Sequence, residues 1–356
     1  MTELLVGTRK GLFLLEGDAG GPFEVATRAF PGETVEYALR DQRGGRLLAS
    51  VTSAFYGPKI WYADDPSGEW EQAGGVALPE GGDEALERIW TIVPGESDGV
   101  LYAGGDPGVL FESRDGGATW ELNRGLWEHP TRGDWQPGGG GLCLHSIVTW
   151  PDEPDRLAVA ISAAGVWLSD DAGATWRSGN DGLVPRYLPE APPPDEIAYC
   201  VHRLHRAPER PERLFMQFHG GVYRSDDAGS TWADIGAGLP SDFGFPLAID
   251  PADPDSAYVI PLTADTDRVT PEGRVRVYET RDAGSSWTAR GDGLPSEHAY
   301  LTVLREALDW RGAGDALELY FGATSGDVFA SADAGATWST AAAHLPPVLS
   351  VYANGA

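Results

Sequence analysis

An eight-residue box, Ser-x-Asp-x-Gly-x-Thr-Trp, occurs three times intact in this chain, at Ser113–Trp120, Ser169–Trp176 and Ser225–Trp232. Two close copies run Thr280–Trp287 and Ser331–Trp338. Two worn ones end at Trp70, after Asp64-Asp65-Pro66-Ser67-Gly68, and at Phe23, after Asp18-Ala-Gly20-Gly21. The closing aromatics Phe23, Trp70, Trp120, Trp176, Trp232, Trp287 and Trp338 stand 47, 50, 56, 56, 55 and 51 residues apart. A repeat of that length cannot bury its apolar face alone and must stack on its neighbours, so seven copies constrain the fold before any single residue is weighed.

Each box lies between two short apolar runs, for example Val222-Tyr223 before and Ala233-Asp234-Ile235 after, and reads as a hairpin turn. The Asp accepts hydrogen bonds from the N–H groups of the turn, the Gly supplies a positive φ, and the hydroxyls tie the ends. The Trp leaves the turn as an apolar plug against the neighbouring repeat. This is turn chemistry, not catalysis. With about 50 residues and four strands to a repeat, the chain is expected to be all-β: one seven-bladed β-propeller with four-stranded antiparallel blades and the boxes as turns. In the fifth repeat the strands are expected over Cys200–His205, Leu214–Phe218, Val222–Arg224 and Ala233–Ile235. The first repeat lacks an innermost strand, and the tail Pro347–Tyr352 is expected to supply it, closing the ring on the first blade.

The box resembles the Asp-box (bacterial neuraminidase, BNR) repeat family, which includes sialidases, sortilin-like ectodomains and a photosystem II assembly factor. The resemblance extends over the whole chain and is specific for fold. It implies that the boxes lie on the face opposite any active site. For function it leaves three readings open: a sialidase-like glycosidase, another enzyme of hydrolase or lyase type, and a non-catalytic binding or assembly scaffold. The Arg-Ile-Pro motif that precedes the first box in sialidases is absent.

The net charge of −28 repels phosphate backbones and anionic membranes, so neither nucleic acid nor membrane is an expected partner. Two cysteines are too few for a disulfide framework, and neither a leader-like apolar segment nor a membrane-length run is present, which points to a cytoplasmic protein.

Counting back six residues from the first Pro of the turn after each innermost strand gives His145, His202, Phe245 and Arg88, which are expected to be equivalent. Antiparallel topology puts these strand starts on the same face as the loops joining the second strand to the third, where Arg9, Lys10, Asp106 and His219 lie. Two long connections between repeats, 121–141 and 177–198, open on that face too and are candidates for a lid. A repeated Cys-x-His, Cys143-Leu-His145 and Cys200-Val-His202, places thiol and imidazole on one side of adjacent strands. With His219 the histidines make a trio suited to a divalent transition metal (Zn, Cu or Fe), to metal-free acid–base chemistry, or to structural hydrogen bonding. The thiols themselves read as packing between blades.

Further catalytic candidates are Arg88, Glu87, Tyr300 and Arg305, the last two within His298–Glu306, read as the opening of the seventh innermost strand. Arg9, Lys10, Asp106, Trp90, Trp127 and Trp135 are candidates for binding a small-molecule or carbohydrate-like ligand, the tryptophans as stacking walls. Gly138–Gly141 is not followed by Gly-Lys-Ser/Thr and reads as a flexible approach to a strand.

Overall fold

A computed structural model of the chain describes residues 1–190, 192–193 and 197–353. Seven four-stranded antiparallel sheets succeed one another along it, each with its strands in sequence order except the first. That first blade consists of Thr2–Thr8, Gly11–Gly17, Glu24–Ala29 and the C-terminal Val348–Ala353. Thr2–Thr8 pairs on one side with Gly11–Gly17 and on the other with the C-terminal strand, Leu4 opposite Ala353 and Val6 opposite Val351. The ring therefore closes through the two ends of the chain. In the fifth blade the strands are Val201–Arg206, Leu214–Phe218, Gly221–Ser225 and Ala233–Asp234, within a residue or two of expectation.

Apolar side chains fill the spaces between blades rather than one central core. Leu204, Met216 and Tyr223 of the fifth blade meet Val148, Val166 and Leu168 of the fourth, and similar clusters join the other neighbouring pairs. Among the described residues the one α-helix is the four-residue Arg124–Trp127 in the long connection 121–141, and no helix is long and apolar enough to cross a membrane.

The boxes behave as turns. In the intact copy at Ser225–Trp232, Asp227 accepts from the Thr231 amide (2.8 Å) and hydroxyl (2.7 Å) and from the Ser225 hydroxyl (2.8 Å). Ser225 in turn accepts from the Gly229 amide at 2.8 Å. Gly229 has φ +87°, a conformation glycine adopts without a Cβ penalty. Trp232 donates from Nε1 to the Gly179 carbonyl of the preceding blade, and Trp287 does the same to Ile235. The box thus fixes its own hairpin and bolts one blade to the next.

Near the start of the innermost strand the pairing slips by a residue in five blades, at Val35/Tyr37, Ile89/Thr91, Leu144/Ser146, Val201/Arg203 and Gly244/Leu247. These bulges align Ile89 with Leu144 and Val201, so the residue matching His145 and His202 is Trp90. Arg88 matches Cys143 and Cys200 instead. The six-residue offset misleads in the third blade because Pro94 is itself the last paired residue of its strand, whereas Pro151 and Pro208 lie beyond theirs.

The strands bring a charged cluster together across the ring. Arg203 of the fifth blade reaches the Glu306 carboxylate of the seventh (3.5 Å) and the His145 carbonyl of the fourth (3.3 Å), and donates from Nε to His205 Nε2 at 3.0 Å. Glu306 is 3% exposed, and burial, only partly offset by Arg203 and Arg305, pushes its carboxyl up to about 7. Its folded value exceeds its ordinary one, so between about pH 4.5 and 7 the folded protein holds a proton that the unfolded chain has released, and this group's contribution to stability falls as pH rises. Glu306→Gln is accordingly expected to gain roughly 2–3 kcal/mol relative to the parent between pH 5 and pH 8. Denaturant titrations of both proteins at the two pH values measure it, and a pH-independent difference would refute the assignment.

Candidate functional site

On the face opposite the boxes, where the second strand turns into the third, a cavity of about 390 Å³ opens at the mouth of the ring. Its walls come from four blades. Gln136–Gly140 ends one long connection, and Tyr187, Ile197 and Ala198 belong to the other. Ser162 and His219 lie in the turns of the fourth and fifth blades, Asp265 and Arg268 in residues 263–276 of the sixth, and Arg305 just before the innermost strand of the seventh. Cys200, His202 and Phe245 complete the lining from the strand starts.

His202 is 1% exposed, and its Nδ1 donates to the Gly244 carbonyl at 2.6 Å. That bond leaves Nε2 with its lone pair, facing Cys200 Sγ at 3.6 Å. The His219 ring stands 5.2 Å from the His202 ring, centroid to centroid, with Tyr187 and Phe243 edge-on around it. Burial first, then the nearby guanidinium of Arg305, holds His202 well below the usual imidazole range; burial does the same more mildly for His219, against the pull of Asp265. Both shifts favour the neutral ring. Burial also pushes the Cys200 thiol up, while Arg305 and Arg268 pull it down.

Arg305 is 7% exposed, packs over Phe245 (4.8 Å) and Trp90 (5.5 Å), and donates from Nη2 to the Ser162 hydroxyl at 3.2 Å. Its Nε has no protein partner. Arg268 also lies over Phe245, at 5.3 Å. Two guanidiniums resting on one aromatic ring at the edge of a largely apolar cavity place positive charge and N–H donors where an anion can be bound.

Of the residues singled out in the sequence, the structure gathers His202, His219 and Arg305 into this cavity. Trp90 reaches it only through Arg305. His145 stands apart, fully buried: its Nε2 donates to the Val201 carbonyl at 2.9 Å and its Nδ1 accepts from the Ser146 hydroxyl at 2.9 Å. Both nitrogens are thus spent between blades, and the expected trio of imidazoles is a pair. Tyr300 is 62% exposed on an irregular segment, because the seventh innermost strand begins only at Leu308. Glu87 is exposed, as are Arg9 and Lys10 in the first-blade turn. Arg88 stacks on Trp90 at 5.0 Å and faces Asp106 across the strand pair. Asp106 is buried and accepts from the Leu142 amide at 3.2 Å, holding the end of the long connection rather than a ligand. Trp127 and Trp135 clasp Arg132, at 4.7 and 5.4 Å, and anchor that connection instead of forming stacking walls.

Sequence reasoning passed over Arg268 and Asp265, and read Cys200 as packing between blades and Gly138–Gly141 as a flexible approach to a strand, whereas Cys200 and Gly138–Gly140 line the cavity. The length of the sixth blade's turn, residues 263–276, was the available clue to Asp265 and Arg268, since its counterparts in the first and fifth blades are only Arg9-Lys10 and His219-Gly220. Cys200 differs from its twin. Cys143 is fully buried and donates to the Gly140 carbonyl at 3.0 Å, whereas Cys200 reaches the cavity surface. Of the second long connection, Tyr187, Ile197 and Ala198 line the cavity, while Pro194, Asp195 and Glu196 lie outside the described residues.

No family model matches the chain. A curated relative is the oligoxyloglucan-reducing end-specific xyloglucanase of Emericella nidulans, 22% identical over 267 residues. The match covers 65% of this chain and 31% of that protein, so the chain spans under a third of its relative's length. Among solved structures, an ancestral GH74 enzyme superposes with a TM-score of 0.57 at 16% identity, over 90% of this chain and 38% of its own. YCF48 from Cyanidioschyzon merolae superposes with 0.55 at 11% identity, over 86% and 85%, and YCF48 bound to a D1 peptide with 0.54 at 12%, over 87% and 81%. These likenesses show the seven-bladed propeller fold.

Proposed function

We propose that the chain is a hydrolase- or lyase-type enzyme that takes a small anionic, carbohydrate-like molecule, such as a sugar acid or sugar phosphate, into the mouth cavity. The observation that carries this reading is the convergence of Cys200, His202 and His219 with Arg268 and Arg305 on one 390 Å³ space. Arg268 and Arg305 hold the anionic group, Phe245 supports both guanidiniums, and the Cys–His–His cluster is the reactive end. The likeness to a xyloglucanase supports a carbohydrate-like ligand. Glycoside hydrolysis of the usual kind needs two carboxylates about 5–10 Å apart across the sugar. Among the described residues Asp265 is the one carboxylate lining the cavity, which favours a different reaction. A sialidase-like site would draw on Tyr300 and Glu87, and neither lines the cavity.

A binding or assembly scaffold is the second reading. It is favoured by Phe55 and Tyr56, 88% and 80% exposed at the tip of the second blade's turn on the same face. Thermal melting across a panel of sugar acids, sugar phosphates and neutral oligosaccharides separates the readings. Anionic monosaccharides are expected to raise the melting temperature by several degrees and neutral sugars to leave it unchanged. Stabilisation by neutral xylo-oligosaccharides alone would favour the glycosidase, and no response to any small molecule would favour the scaffold.

A further inference from the structure

The donor set at the floor of the cavity is a thiol and two imidazoles. One ligand atom each from Cys200, His202 and His219 lies within 4.8 Å of the others. We infer that these three residues form a transition-metal centre with a fourth position open to the cavity, in the Zn class of ions. The inference deepens the proposed function by naming its reactive end, and it replaces the trio of imidazoles expected from sequence with one in which Cys200 takes the place of His145.

Four features of the structure carry it. The first is the second-sphere bond of His202: an imidazole whose Nδ1–H is fixed on a backbone carbonyl presents a bare Nε2 in a set orientation, the arrangement found behind metal-bound histidines. The second is spacing. Tetrahedral bonds of about 2.0–2.3 Å place neighbouring donors about 3.3–3.8 Å apart. Cys200 Sγ and His202 Nε2 already stand at 3.6 Å, so only His219 has to swing inward. Its side chain is 21% exposed, lines the cavity and sits on a turn followed by two glycines.

The third feature is the number of donors. A thiol–imidazole pair acting as a nucleophile requires Cys200 and His202 only, and leaves the approach of the second ring unexplained. The fourth is access: Sγ and the two rings all border the cavity, so a water or a ligand oxygen reaches the open position from the side of Arg268 and Arg305. Mixed nitrogen and sulfur donors in a four-coordinate site suit Zn2+ or Co2+ over Mg2+ or Ca2+. The two guanidiniums oppose a bare dication. The thiolate, Asp265 at 3.7 Å from His219 Nε2, and an anionic ligand held by the arginines restore the balance of charge.

The test uses the untagged full chain, stripped with EDTA and titrated with Co2+. One equivalent is expected to bind, giving a thiolate-to-cobalt charge-transfer band in the near ultraviolet and intense visible bands of a tetrahedral ion, both abolished by an equivalent of Zn2+. Cys200→Ser is expected to lose the charge-transfer band while still binding more weakly, and His219→Ala to bind about tenfold or more weakly. Cys143→Ser, in the equivalent position of the neighbouring blade, is expected to be unchanged. His219 is the more exposed imidazole, so its variant keeps the test open if His202→Ala does not fold. Absence of stoichiometric Co2+ binding, or a charge-transfer band that survives Cys200→Ser, would overturn the inference. Repeating the melting panel on stripped and Zn2+-loaded protein keeps the two proposals distinguishable. Anion binding by protein that takes up no metal sinks the metal centre alone, and metal binding without any anion response sinks the ligand assignment alone.

Discussion

Truncation after Pro346 is expected to abolish soluble, folded protein. The removed strand buries Val348, Leu349 and Val351, all 8% exposed or less, with Val348 and Val351 in the interface between the seventh and first blades. Burying three such side chains contributes about 5–9 kcal/mol, which is comparable to the whole stability of a typical domain. The truncation also strips Thr2–Thr8 of its second partner and leaves an unpaired apolar edge, a template for aggregation. Expression yield, light scattering and thermal melting read the outcome. A truncated chain that melts like its parent would mean that the ring does not depend on pairing its two ends.

Arg305→Met is expected to lower affinity for the best anionic ligand of the panel about 10- to 150-fold, the loss of a charged hydrogen bond of about 1.5–3 kcal/mol. Methionine keeps an unbranched, flexible apolar side chain in place of the guanidinium and its stem, so the fold is expected to survive. Asp227→Ala supplies the contrast. It is expected to cost about 1–2 kcal/mol of stability through the unpaired Thr231 and Ser225 groups, and to leave affinity unchanged because the box lies on the opposite face. Calorimetric titration of the two variants gives the comparison directly, and equal affinities in parent and Arg305→Met would remove the anion from the neighbourhood of that guanidinium.

The propeller and its closure were legible because they rest on local chemistry. The Ser, Asp, Gly and Thr of each box satisfy one another within eight residues, and the missing first strand can be counted from the order of apolar runs. The cavity was less legible because it depends on details that are not local. The proline from which the six residues are counted ends the strand in the third blade but lies beyond it in the fourth and fifth, and Arg88 was misaligned for that reason. The two Cys-x-His copies are identical as text, yet one imidazole crosses into the Val201 carbonyl and the other points at a thiol. Tyr300 was placed on a strand that in fact starts eight residues later, at Leu308. Arg268 and Asp265 carry no motif, and only the length of their turn distinguishes them.

One cavity, at the mouth opposite the boxes, is proposed as the place where this protein does its chemistry. A crystal structure of the full chain with the most stabilising anion of the panel tests it most directly. The anionic group is expected within hydrogen-bonding distance of the Arg268 and Arg305 guanidiniums, with the rest of the molecule lying toward Cys200, His202 and His219. An anion bound on the box face or between blades, with this cavity holding only solvent, would contradict it.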